Sequence, residues 1–206
     1  MFKFEKDMLP VIENAFYQKF DNAKFIREFN SGNGISDLTV ATPNDEKPSI
    51  VINNYNEMYY LINFFNRKGK VIHPKKLVSK KNLNSKTFSN LITKLLDGGY
   101  VSEQEGYYIV ERLYKSPVKN IISIEAKLSK WRDGYYQALR YKCFSHKSFL
   151  AVSSKYIKNV DIDLFRKVNV GLISVLEDYV KIIVNPKREI PKDTIAFYHL
   201  SESVML

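Results

Sequence analysis

Three charged side chains stand where strands rarely carry charge. The run Asn120-Ile-Ile-Ser-Ile-Glu-Ala-Lys-Leu128 reads as a β-strand from its β-branched residues. Alternation sets Ile122, Ile124, Ala126 and Leu128 on one face and Ser123, Glu125 and Lys127 on the other. Burying a glutamate and a lysine on one face of an apolar strand is costly unless they are used. An edge strand with a solvated, ion-paired face is the competing explanation. A second strand, Gly34-Ile-Ser-Asp-Leu-Thr-Val-Ala41, places Asp37 in mid-strand, opposite the face of Ser36, Leu38 and Val40. Aspartate is disfavoured there unless it has a task. The alternative for Asp37 is a turn position after Ser31-Gly32-Asn33-Gly34. Two carboxylates and an ammonium can together hold a hard cation and stabilise developing negative charge.

Other elements must position these groups. Leu9, Ile12 and Phe16 mark a helix that also carries Glu13. Ser129 to His146 reads as a helix with Tyr136, Leu139 and Cys143 inward and Gln137 one position away. Phe149 to Val152, Val170 to Val175 and Val180 to Val184 read as further strands.

Asp37, then Glu125-Ala126-Lys127, then Gln137-Ala138 resembles the PD-(D/E)XK nuclease superfamily. Lys127-Leu-Ser-Lys-Trp131 and Tyr136-Gln-Ala-Leu-Arg-Tyr141 also look like members of it. The resemblance covers residues 1–48 and 117–206. It implies an α/β fold with a restriction-endonuclease-like α-β-β-β-α-β core and a mixed central sheet. It also implies a Mg²⁺-dependent deoxyribonuclease, with Mn²⁺ as a substitute metal. Asp37, Glu125 and the Ala126 carbonyl would be metal ligands. Lys127 would position or deprotonate a water, or stabilise the transition state. Gln137 would orient the lysine or the water. Glu13 matches a helix glutamate that some members use as a ligand, and Glu5 competes for that position. Ser36 stands where the family usually has proline. The family's Asp and Glu usually lie closer than the 88 residues between Asp37 and Glu125.

The intervening segment accounts for that excess. Met58, Leu61, Ile62 and Phe65 share one helix face; His73-Pro74 opens a short helix with Leu77 and Val78. Asn84 or Ser85 caps a third helix carrying Phe88, Leu91, Ile92, Leu95 and Leu96. Gly98-Gly99 ends it, and Tyr100-Val101 and Tyr107–Val110 flank a turn at Glu105-Gly106. Three helices and a hairpin resemble a winged helix-turn-helix domain, so 50–116 reads as a domain inserted between 1–49 and 117–206. Its third helix would present Lys86, Thr87, Asn90, Thr93 and Lys94 to double-stranded DNA. Glu103 and Glu105 at the hairpin tip would repel a phosphate backbone and favour the alternative, a winged helix used for packing or for binding protein.

Charge and composition bound these readings. The 206 residues carry 32 Lys+Arg and 22 Asp+Glu, a formal +10. Residues 1–49 are net −2, while 50–116 and 117–206 are each net +6. The excess fits a polyanionic partner, although a Lys-rich composition also contributes to it. The single cysteine, Cys143, excludes a disulfide framework and a multi-thiolate zinc site; it reads as a core residue. His73 and His146 lack metal-ligand spacing. Trp131 and Arg132 are candidates for a phosphate contact or for packing and surface roles. The absence of a long apolar run argues against a membrane span and for a cytoplasmic protein. A double-strand cut usually needs two active sites, so a homodimer is expected if the chain makes one. A non-catalytic DNA-binding regulator on a nuclease-like scaffold is the alternative to an enzyme.

Overall fold

The computed structural model describes residues 2–32, 34–81 and 83–205, with Lys80 described by its backbone alone. A 3-10 turn (Glu5–Met8) leads into helix α1 (Leu9–Lys19) and strands β1 (Lys24–Asn30) and β2 (Ile35–Pro43). Next come α2 (Tyr55–Phe64), β3 (Val71–Ile72), α3 (Pro74–Lys81), α4 (Ser85–Asp97), β4 (Val101–Gln104) and β5 (Tyr107–Val110). The chain continues through β6 (Val118–Lys127), α5 (Trp131–Tyr141), β7 (Lys147–Ser153) and a 3-10 segment (Ser154–Asn159). Helix α6 (Ile162–Val168), strands β8 (Gly171–Val175) and β9 (Val180–Val184), and helix α7 (Thr194–Met205) complete it.

These elements form two compact units. One comprises the residues up to Pro43 with Val118–Phe197 and Met205; the other comprises Asn44–Pro117 with Tyr198–Val204. The second unit therefore begins ahead of residue 50 and takes in part of α7, which the sequence reading kept with 117–206. Local bonding explains both differences. The Asn44 N–H donates to the Pro117 carbonyl at 2.8 Å, bringing the two ends of the segment together. Tyr198 packs on Tyr114 with ring centroids 6.0 Å apart, and His199 packs edge-on against Tyr55 at 5.5 Å.

The first unit is α/β, built on a mixed six-stranded sheet of order β1-β2-β6-β7-β8-β9. Strands β1, β2 and β6 run antiparallel in succession, β6, β7 and β8 are parallel, and β9 returns antiparallel. Alternation along each central strand feeds two cores. On one face Leu38, Val40, Ile122, Ile124, Ala126, Phe149 and Ala151 pack with Met8, Ile12 and Phe16 of the α1 region. On the other, Leu150, Val152 and Leu172 pack with Trp131, Tyr135 and Ala138 of α5 and Phe165 of α6. Both faces of β6 are covered, since Ile121, Ser123 and Glu125 on the α5 side are buried as well as Ile122, Ile124 and Ala126, as expected of an interior strand.

Helix α5 departs from the sequence reading in its length and its face. It ends at Tyr141, and it buries Trp131, Gly134, Tyr135, Ala138 and Tyr141. Tyr136, expected inward, is 61% exposed. A glycine decides the face. A Cβ on Gly134 would come within 2.4 Å of Leu150 and 2.8 Å of the Lys127 side chain, so this turn of the helix lies directly against β6 and β7.

In the second unit, Asn54 caps α2 by accepting the N–H groups of Asn56 and Glu57, and Asn84 caps α4 by accepting that of Thr87. Phe88, Leu91, Ile92 and Leu95 form the buried face of α4. Strands β3, β5 and β4 form a small antiparallel sheet in that order. Among the described residues, no helix is long and apolar enough to cross a membrane.

Candidate active site

Asp37 is the third residue of β2, not part of a turn. Asn33, in the turn considered for it, lies outside the described residues. The β2–β6 ladder pairs Leu38 with Ile124, so one further step of antiparallel register sets Asp37 opposite Glu125. Oδ2 of Asp37 accepts the Ala126 N–H at 2.7 Å. That bond fastens the aspartate to the peptide between Glu125 and Lys127, across 89 residues of sequence. Strand β6 lies between β2 and β7, and Glu125 is 1% exposed. The solvated edge strand is therefore excluded.

The charges on β6 are densely bonded. The Lys127 ammonium donates to Oε1 of Glu125 and lies 3.7 Å from Oε2 of Glu5. Oε1 of Glu5 accepts the Leu128 N–H at 3.1 Å, so the 3-10 turn before α1 brings a third carboxylate to the lysine. The Tyr141 hydroxyl faces two acceptors, Oε2 of Glu125 at 2.6 Å and the Ile35 carbonyl. Its ring packs on Gly34, where a Cβ would approach Cε1 to 3.1 Å at a φ of +139°. The positive φ favours glycine there, and a side chain would also crowd the Tyr141 ring.

Burial sets the electrostatics. It raises the Asp37 carboxyl above its ordinary value, against the lowering effects of the Ala126 N–H and the Lys127 charge. Burial also raises Glu125, and repulsion from Asp37 adds to it, while bonds from Lys127 and Tyr141 oppose the rise. Burial would lower Lys127, but its bond to Glu125 and the charges of Glu125, Asp37 and Glu5 outweigh that, so its pKa is raised. The ammonium form therefore predominates at neutral pH, in a position suited to stabilising negative charge rather than removing a proton.

The other expected residues are more dispersed. Gln137 is half-buried on α5 and makes no side-chain hydrogen bond among the described residues; the α5 side chain that reaches Glu125 is Tyr141, one turn further on. Glu13 is held by Arg27 in a bidentate pair at 2.6 and 2.8 Å, whereas Glu5 reaches the site. On α4, Lys86 and Asn90 are exposed. The Thr93 hydroxyl donates back to the Ser89 carbonyl at 3.2 Å, and Thr87 is half-buried after the cap. Lys94 is committed to the buried Glu57 at 2.7 Å. His146 accepts the Ile121 N–H on Nδ1, and Trp131 packs on Phe165.

Glu5 and Tyr141 complete the set around Asp37, Glu125 and Lys127. Glu5 carried only a weak sequence signal, as one of two glutamates in an N-terminal segment. Tyr141 carried none as a polar group, because a tyrosine at helical spacing reads as core.

Among the described residues, no three or more His, Cys, Asp or Glu side chains gather as a metal cage. Mg²⁺ needs less, since it keeps several waters and is commonly held by one or two carboxylates. Asp37 and Glu125 supply hard oxygens on facing positions, and their mutual repulsion is what a divalent cation would relieve. The residues present fit such an ion.

Compared with protein-family models, curated proteins and solved structures, the chain has no match.

Proposed function

We propose that this chain is a metal-dependent nuclease that hydrolyses phosphodiester bonds in DNA. The observation that carries the reading is the Asp37 carboxylate bonded to the peptide between Glu125 and Lys127, which unites residues from two distant strands in one half-buried cluster. The order of elements supports it. Helix α1, the antiparallel run β1-β2-β6, helix α5 and the parallel strand β7 follow the α-β-β-β-α-β order of the PD-(D/E)XK core. In this reading residues 44–117 are an insertion between the second and third core strands, and their α2-β3-α3-α4-β4-β5 order is that of a winged helix.

Asp37 and Glu125 would hold Mg²⁺, with the Ala126 carbonyl beside them. The bound ion would lower the pKa of a coordinated water and offset charge on the phosphate. Lys127, kept protonated by Glu125, Asp37 and Glu5, stabilises negative charge on the phosphate oxygens. Tyr141 fixes the rotamer of Glu125, and the Ala126 N–H fixes that of Asp37. Glu5 holds the end of β6 through the Leu128 N–H. Calorimetric titration with Mn²⁺ tests the metal site: the wild type should bind the ion, and Asp37→Ala should weaken binding by about tenfold or more. Equal binding by both proteins would remove Asp37 from the site.

A second reading concerns residues 44–117 alone. Lys94 is tied to Glu57, and Glu103 and Glu105 are exposed at the β4–β5 tip. These features favour a protein contact by the hairpin, leaving Lys86, Asn90 and Thr93 as the exposed side chains among the expected α4 set.

A further inference from the structure

Helix α5 carries a second surface opposite its buried face. Arg132, Tyr136 and Arg140 recur every fourth residue, and all three are exposed. Each step of four residues rises about 6 Å along the helix, the scale of one nucleotide in an extended single strand. Neither guanidinium has a carboxylate or hydrogen-bond partner among the described residues. Arg132 stacks over Trp131 at 4.9 Å from the ring centroid. Arg140 lies beside Gly34, with Nε 4.0 Å from where a Cβ on that residue would sit. It therefore borders the start of the strand that carries Asp37. The one acidic residue in the first turn, Asp133, lies about 100° around the helix from Arg132. Tyr136 is 61% exposed, contacting Tyr135 edge-on at 5.2 Å and leaving much of its ring to solvent.

We infer that the Arg132–Tyr136–Arg140 stripe binds a single strand of nucleic acid leading to the Asp37–Glu125 cluster. This rests on the nuclease reading and adds the form of the substrate. Two guanidiniums spaced along a helix can hold successive phosphates. A tyrosine ring between them can stack on a base only where that base is free of a duplex. Continuity with the carboxylate cluster favours a strand over a protein ligand: Arg140, at the C-terminal end of the stripe, borders Gly34, against which the ring of Tyr141, the residue bonded to Glu125, also packs.

The test is fluorescence anisotropy of the full chain in EDTA, so that binding is read without hydrolysis. The probes are a labelled oligodeoxynucleotide, its ribonucleotide counterpart and the deoxynucleotide annealed to its complement. Tyr136→Ala should weaken single-strand binding about tenfold and leave duplex binding unchanged, with Tyr136→Phe close to wild type. Arg132→Ala combined with Arg140→Ala should reduce the salt slope by roughly 0.7 per lost contact. The deoxy and ribo probes decide which strand chemistry is preferred. Unchanged single-strand binding in the variants, equal losses on strand and duplex, or no strand binding by the wild type would each overturn the inference. The nuclease reading fails separately. A wild type that cuts nothing but binds strands through Tyr136 sinks that reading alone, whereas a wild type that cuts while its binding ignores the stripe sinks this inference alone.

Discussion

The Tyr141 hydroxyl donates to Oε2 of Glu125 at 2.6 Å and faces the Ile35 carbonyl as well, so one phenol joins helix α5 to both strands that carry the carboxylates. Glu125 is thereby held on both oxygens, by Tyr141 on one and Lys127 on the other. Tyr141→Phe removes a charge-assisted donor worth about 1.5–3 kcal/mol. It should lower kcat about tenfold or more with KM little changed and no loss of fold. Gly34→Ala should reproduce part of this defect by displacing the ring. Unaltered kcat in Tyr141→Phe would reduce Tyr141 to a packing role.

Lys86 and Lys94 lie on the same helix but should behave differently. Lys94→Ala leaves the buried Glu57 without its partner and should cost about 2 kcal/mol of stability. Lys86→Ala removes an exposed ammonium and should leave stability unchanged. If α4 touches DNA, it should also lower the salt slope of binding by about one. Thermal melts and salt titrations of the two variants separate these effects.

His146 predicts acid sensitivity. Burial, with Arg188 nearby, pushes its pKa down from 6.5 to about 4. The unfolded chain therefore binds a proton more readily than the folded one, and stability is lost as pH falls from 6.5 toward 4. His146→Asn retains an acceptor for the Ile121 N–H but does not titrate. Its thermal midpoint should fall less than that of the wild type across this window. Parallel curves for the two proteins would contradict the assignment.

Glu202 predicts the opposite trend. Burial raises its carboxyl from 4.5 to about 7, against a bond from the Ile52 N–H and the Lys94 charge, and its Oε1 has no hydrogen-bond partner among the described residues. The folded state holds the proton more tightly, so stability falls as pH rises from 4.5 through 7. Glu202→Gln should therefore raise the melting midpoint by a few degrees above neutral pH and change it little below the ordinary carboxyl value. A midpoint lowered throughout would show that the ionised carboxylate is the stabilising form.

The charged strands were legible in the sequence because charge in a β-branched run is improbable without a use, and Asp37, Glu125 and Lys127 come together in the structure. The α4 pattern was legible because apolar spacing and an Asn cap agree over several turns. Strand β1 escaped notice. It lies at the sheet edge with Lys24, Arg27, Glu28 and Asn30 exposed, so it lacks an apolar run. The α5 face was misread because tyrosine occurs at both buried and exposed positions, and the packing at Gly134 that settles the orientation is a tertiary contact. Glu5 and Glu13 could not be separated by local pattern, since what separates them is Arg27 capturing Glu13.

The most direct measurement is cleavage in Mg²⁺ of plasmid DNA and of a single-stranded oligodeoxynucleotide by the wild type, Asp37→Ala and Lys127→Ala, with DNA binding measured in parallel. The wild type should nick or cut, and each variant should lose about a thousandfold or more of that activity while still binding DNA. Three proteins equally inert across sequences and metals while DNA binding persists, or an Asp37→Ala variant as active as the wild type, would contradict the account.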